Sequence, residues 1–109
     1  MTDRVCLSVD PGVCGFSCKI KAWKKEKRVA GFEIVESRCE MIKKLSADLN
    51  EMNMNDLFIP VTGNPIFISA QKAGCHLACP VPTAIVKTVE VTLGLAVPKD
   101  VGFNFEQKC

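Results

Sequence analysis

Tyrosine is absent from the 109 residues, and histidine and tryptophan occur once each. Charge of one sign is missing too, since 14 basic residues face 12 acidic ones for a net +2. A nucleic-acid surface needs a clear basic excess and interleaved aromatics, and Lys19, Lys21, Lys24, Lys25, Lys27 and Arg28 come with Trp23 alone. Lysines so placed serve better to solvate a hairpin edge and discourage edge-to-edge pairing. No glycine-rich phosphate loop, serine nucleophile elbow or HExxH motif is present, and Asp48, Glu51 and Asp56 have no spacing that suggests an acid–base pair. Familiar enzyme classes are therefore not expected. The most apolar stretch, Ala84 to Val97, is broken by Lys87 and Glu90 and falls short of the ~20 apolar residues a bilayer span requires. Met1-Thr2-Asp3-Arg4 runs straight into Val5 without an apolar signal core or a small-residue cleavage site. The expectation is a cytoplasmic protein with no membrane partner; a protein partner is left open.

Repeats, low-complexity tracts and composition breaks are also missing, so residues 1–109 are read as one domain. Nearly half the chain (48%) is hydrophobic and 24% is charged, enough to build a core. A domain this size hides somewhat over ~60% of the surface of its unfolded chain and needs no disulfide to fold.

Hydrophobic periodicity sets the expected elements. Arg4–Val9 reads as a strand with Val5, Leu7 and Val9 on one face. Asp10-Pro11-Gly12 is turn chemistry, and alternation from Gly15 to Trp23 points Phe16, Cys18, Ile20 and Ala22 inward. Lys24–Arg28 reads as a polar hairpin tip and Val29–Glu36 as the third strand of an antiparallel meander. Ser37 and Glu40 fit a capping box that opens a helix carrying Cys39, Ile42, Leu45, Leu49 and Met52 as one stripe. Asn64-Pro65 starts a second helix that Gly74 ends. A third begins around Pro80 to Pro82, presents Ile85, Val86, Val89 and Leu93, and stops at Gly94. Val101, Phe103 and Phe105 alternate as a last strand. The expected class is α+β, in the order βββαααβ: a three-stranded meander plus a C-terminal strand, with about three helices on one face.

What the chain does have is seven cysteines, an odd number that leaves at least one thiol over after any pairing. In a reducing compartment such residues are buried, metal-binding or reactive more often than cross-linked. Four sit at marked places. Cys14 lies at a strand end flanked by glycines, Cys39 in the first turn of a capped helix, Cys75 just after the stop glycine of the second helix, and Cys79 at the mouth of the third. Helix N-termini and glycine turns favour anionic sulfur. There is no C-x₂-C pair, which removes zinc-ribbon and thioredoxin readings. The run Cys75-His76-Leu77-Ala78-Cys79-Pro80 matches only the C-x₃-C-P tail of a ferredoxin cluster motif. A metal ion or iron–sulfur cluster would have to be gathered from Cys14, Cys39 and Cys79, with His76 or Cys75 as fourth ligand. The alternatives are core cysteines, or a redox pair in which Cys79, with a thiol pKa lowered by its helix N-terminus, is reactive and Cys75 or Cys14 resolves it. Cys18 reads as packing; Cys6 and Cys109 are assigned no role, and Met41, Met52 and Met54 read as core filler.

Pro11-Gly12-Val13-Cys14-Gly15-Phe16, Glu36-Ser37-Arg38-Cys39, His76-Leu77-Ala78-Cys79-Pro80-Val81-Pro82 and the ending Gly94-Leu95-Ala96-Val97-Pro98-Lys99-Asp100-Val101 resemble a family of small prokaryotic proteins of unknown function. The resemblance spans nearly the whole chain and implies no activity. Position by position it singles out Cys14, Cys39, Cys79 and His76. Cys75 departs from its pattern, which makes His76 the better fourth partner. The leading expectation is a non-catalytic metal or cluster protein with a carrier, sensor or assembly role. If Cys14, Cys39 and Cys79 are ligands, their sulfurs must come within about 4 Å of one another.

Overall fold

The computed structural model describes residues 4–109. Alternating apolar residues make β1 (Val5–Val9), β2 (Cys18–Glu26) and β3 (Val29–Val35), which pair in sequence as an antiparallel meander. Register puts Val9 opposite Cys18, Leu7 opposite Ile20 and Ala22 opposite Phe32, so these residues share the face that the helices cover. The other face presents Lys19, Lys21, Trp23 and Glu33 to solvent. β2 starts later than the alternation suggests, because the turn before it runs on to Gly15 and leaves Phe16 outside the sheet and 45% exposed. It also runs past the expected tip: β2 continues to Glu26, with a register irregularity between Lys24 and Glu26, and only Lys27 and Arg28 turn.

The expected order βββαααβ is wrong. The fourth strand is not C-terminal but β4 (Glu51–Asn53), which follows α1 (Glu40–Asp48) and pairs with β3, placing Met52 opposite Ala30. Met52 falls at helical spacing from Leu49, which hid the change of period. The chain leaves the helix at Leu49, whose φ of −139° and ψ of 124° are extended, and exposed Glu51 and Asn53 flank the fully buried Met52. The gain is two-sided: β3 obtains a partner for its free edge, and Phe32 donates its backbone N–H to the Asn50 carbonyl. The sheet order is β1-β2-β3-β4, and with the helices the fold is α+β.

Val101–Phe105, the expected last strand, is neither helix nor strand and is exposed throughout. Period two states only that a segment suits a pleated surface; it does not supply the neighbouring edge.

After β4 come two short 3₁₀ segments, Met54–Phe58 and Val61–Gly63. Asn53 caps the first with a reciprocal capping box: its side chain accepts from Asn55, and Asp56 accepts the Asn53 N–H at 2.9 Å. Buried Asn64 then caps α2 (Pro65–Ala73), accepting the Ile66 N–H at 3.1 Å and donating to the carbonyls of Asp56 and Ile59. Gly74 ends α2 in the left-handed conformation with φ of 79°. α3 (Val81–Thr92) lies across β1, β2 and β3, while α1 packs on β3 and α2. The core is one cluster built around Ile20, Phe32, Leu45, Met52, Ile66, Ile85 and Val89. No helix among the described residues is long and apolar enough to cross a membrane.

Candidate functional site

The site lies where β1 ends, β2 begins and β3 gives way to α1. Cys18 is the first residue of β2, paired with Val9 and only 4% exposed. Cys14 sits at the tip of a turn rather than on a strand end. Asp10 Oδ1 accepts the Gly12 N–H at 3.0 Å and the Gly12 carbonyl accepts the Gly15 N–H at 2.9 Å, leaving Val13 and Cys14 exposed between them. From β3 the chain turns through Glu36, whose φ of 57° is unusual for a residue with a Cβ. That turn brings Cys39 to the N-cap of α1, two positions earlier in the helix than the sequence suggests. The Ser37–Glu40 capping box does not form; Ser37 Oγ instead accepts the Cys39 N–H at 3.3 Å.

Two further thiols arrive from the α2–α3 connection. Cys75 closes the end of α2 by donating its N–H to the Ala70 carbonyl at 3.0 Å. Cys79 turns back on His76, donating its N–H to that residue's carbonyl at 3.1 Å, and immediately precedes Pro80, the N-cap of α3. Cys39, Cys75 and Cys79 are all half-buried and pack against the core cluster that contains Cys18. His76 is exposed, as are Cys6 and Cys109. All seven cysteines are free thiols.

The thiols act on one another. Burial pushes Cys18 from 9.0 up to about 11, with further upward pressure from Cys79 and then Cys39. Burial also raises Cys75, helped by Cys79 and Cys39. Cys79 is raised first by burial; the Val81 N–H at the start of α3 works against that, and Cys39 and Cys14 raise it again. Each of these groups would become anionic beside others of the same sign, in surroundings that solvate charge poorly. The lowered pKa expected for Cys79 is thereby overturned: a helix N-terminus does help its thiolate, but desolvation and neighbouring sulfur outweigh it.

Cys14, Cys39, Cys75 and Cys79 thus occupy one neighbourhood, and Cys18 joins them. Cys18 was legible as more than packing from its spacing, because Cys14-x₃-Cys18 repeats the interval of Cys75-x₃-Cys79. Among the described residues no three His, Cys, Asp or Glu side chains are arranged to hold a metal ion as they stand. An open depression of about 330 Å³, lined by Ser8, Asp10, Cys18, Lys19 and Glu36 among others, opens beside Cys18. Lys19 and Glu36 pair across it at 3.6 Å.

No curated protein and no solved structure matches the chain. Residues 5–105 match a family described as a family of unknown function, DUF6951, a stretch that takes in every cysteine except Cys109. By that match the chain belongs to DUF6951.

Proposed function

We propose that the protein binds a thiophilic metal ion or an iron–sulfur centre through Cys14, Cys18, Cys39, Cys75 and Cys79, as a carrier, sensor or assembly protein rather than an enzyme. The observation that carries this reading is convergence: five thiols from three separate segments of the chain meet at one end of the sheet, four of them packed in or against the core. Packing alone would not gather one residue type at β2, α1, α2 and α3 together. Thiolates that repel one another in a poorly solvating site are stabilised by a bound cation, and thiolate sulfur suits zinc and iron–sulfur centres. Because the thiols are not yet at ligating geometry, binding draws the Cys14 turn and the Cys75–Cys79 loop inward. His76, exposed next to Cys75, is the nitrogen that such a closure could recruit. A cytoplasmic, reducing setting keeps the sulfurs available.

Anaerobic purification followed by absorbance spectroscopy and elemental analysis tests this, with cobalt(II) titration of the reduced protein as a second readout. A visible charge-transfer band or stoichiometric metal is expected. Both should vanish in Cys39→Ser/Cys79→Ser and survive in Cys109→Ala. Absence of metal in the purified protein together with no thiolate–cobalt band would overturn the reading.

A further inference from the structure

Among the described residues, one edge of the meander has no strand beside it. β1 is the outer strand of the sheet, and Val5-Cys6-Leu7-Ser8-Val9 contains no charge and no proline. Natural edges are usually blunted by lysine, proline, a bulge or shortness. The opposite edge follows that rule, since β4 is three residues long and two of them, Glu51 and Asn53, are polar and exposed. On β1, by contrast, Val5 and Leu7 are only half-buried.

The same chain carries an unpaired strand pattern. Val101, Phe103 and Phe105 alternate with Gly102 and Asn104, and they are 57%, 88% and 104% exposed. Set antiparallel to β1, the segment matches it residue by residue. With Phe103 opposite Leu7, Val101 falls opposite Val9, Phe105 opposite Val5 and Glu106 opposite Arg4. All three apolar pairs then lie on the helix-covered face, because β1 already directs Val9 there beside Cys18. The one charged pair is of opposite sign and lies on the solvent face, where Arg4 sits over the Trp23 ring. Shifting the register by one residue would put the phenylalanines opposite Cys6 and either Ser8 or Arg4, and lose every one of these matches.

We propose that two copies of this chain exchange the segment Val101–Glu106, each adding it as a fifth, antiparallel strand beside β1 of the other. A surface that carries both the donor strand and the acceptor edge is self-complementary, and reciprocal exchange closes with two-fold symmetry. The six residues from Leu95 to Asp100 that join α3 to the exchanged segment span up to ~20 Å when extended. The exchange uses no cysteine and does not depend on the metal reading.

Sedimentation equilibrium under reducing conditions, which exclude cross-linking through Cys109, reads the assembly directly. The expected mass is that of two chains. Phe103→Glu/Phe105→Glu should raise the dissociation constant roughly a hundredfold or more. Both side chains are exposed in the single chain, so its circular dichroism and melting as a monomer should be unchanged. Asn104→Cys provides the second test, because the new thiol faces Cys6 within disulfide range at either antiparallel spacing. In a mixture of ¹⁴N- and ¹⁵N-labelled protein, mild oxidation should give a mixed-isotope cross-link between positions 6 and 104. A monomeric wild type, an open polymer, a dimer indifferent to the double substitution, or a cross-link formed only within one chain would each overturn the exchange.

Discussion

The two ends of the sheet handle charge in opposite ways. At the hairpin end several charged side chains have polar or charged partners. Lys25 reaches Glu51 at 2.6 Å, Arg28 donates to Asn55 at 2.8 Å, and Asp56 closes a capping box with Asn53. Arg4 lies over Trp23 and 3.5 Å from Glu33. At the other end Lys19 and Glu36 pair at the surface, but the buried and half-buried titratable groups are thiols with other thiols for neighbours. One end is finished as folded; the other would gain from a cation. Substitutions that exchange, load or relax the two ends can sharpen or break that contrast.

The largest effect is expected at the cysteine end. Cys18→Ala removes the most buried sulfur of the cluster, and metal affinity should fall by more than the roughly 10–100-fold that loss of an outer hydrogen-bonding partner costs a metal site. Lys25→Ala, at the finished end, should leave the affinity measured by cobalt titration unchanged. Equal responses would erase the distinction.

Next comes packing at the hairpin end. Trp23 lies opposite Gly31 in the register, and a Cβ on Gly31 would stand 2.8 Å from the Trp23 ring and 2.9 Å from the Lys25 side chain. Gly31→Ala should cost about 1–3 kcal/mol in chemical denaturation, the range for forcing extra volume into a packed site. Trp23→Ala in the same background should recover most of that loss, because the ring is the rigid obstacle whereas the Lys25 side chain can swing aside.

Alkaline pH separates the ends again. Folded Cys18 keeps its proton to about pH 11, whereas the unfolded chain releases it near 9.0. The unfolded state then binds fewer protons, so stability is complete below pH 9 and declines as pH rises towards 11, by up to ~2 kcal/mol. Cys75 and Cys79 push in the same direction. The decline should be shallower in Cys18→Val, measured by urea midpoints across that window.

The smallest change is a gain. Glu36 occupies the left-handed region at φ of 57°, and its pairing with Lys19 is exposed. Glu36→Gly should stabilise the chain by at most ~1 kcal/mol in thermal melts, since glycine relieves the steric cost and loses only a surface ion pair. Metal binding by that variant reports whether the turn before Cys39 must be held in this shape.

How much of this was legible depended on whether a signal was local. Asn64 with Pro65 and Gly74 with its positive φ are complete instructions within a few residues, and both ends of α2 follow them. Val5, Leu7 and Val9 share a face because alternation needs no distant information. Met52 failed that test: three residues from Leu49 it continues a helical stripe, and only pairing with Ala30 across the sheet reveals a strand. Ser37 and Glu40 satisfy a capping pattern, yet Cys39 takes the cap because the chain first has to turn at Glu36. For the cysteines, the marked positions of Cys14, Cys39, Cys75 and Cys79 were visible one by one. Their grouping, and the inclusion of Cys18, follow from how the strands and helices meet. Apart from the x₃ spacing shared by Cys14–Cys18 and Cys75–Cys79, no interval along the chain encodes that. His76 illustrates the opposite case, a residue singled out by its neighbours in sequence and left exposed by the fold.

The dispersal of the five thiols also fixes when they can act during the life of a newly made chain. The β1–β2–β3 meander needs only contacts between neighbouring segments, the kind that form early because short loops cost little entropy to close. Cys79 reaches Cys14 and Cys18 only after α3 has docked across that sheet, the contact that spans most of the sequence. An incomplete chain therefore has sulfurs but no cluster, so the metal site we propose would not exist before α3 has left the ribosome. Under the proposed metal reading, loading would report finished folding. A chain truncated before Val81 would be left with scattered thiols open to oxidation.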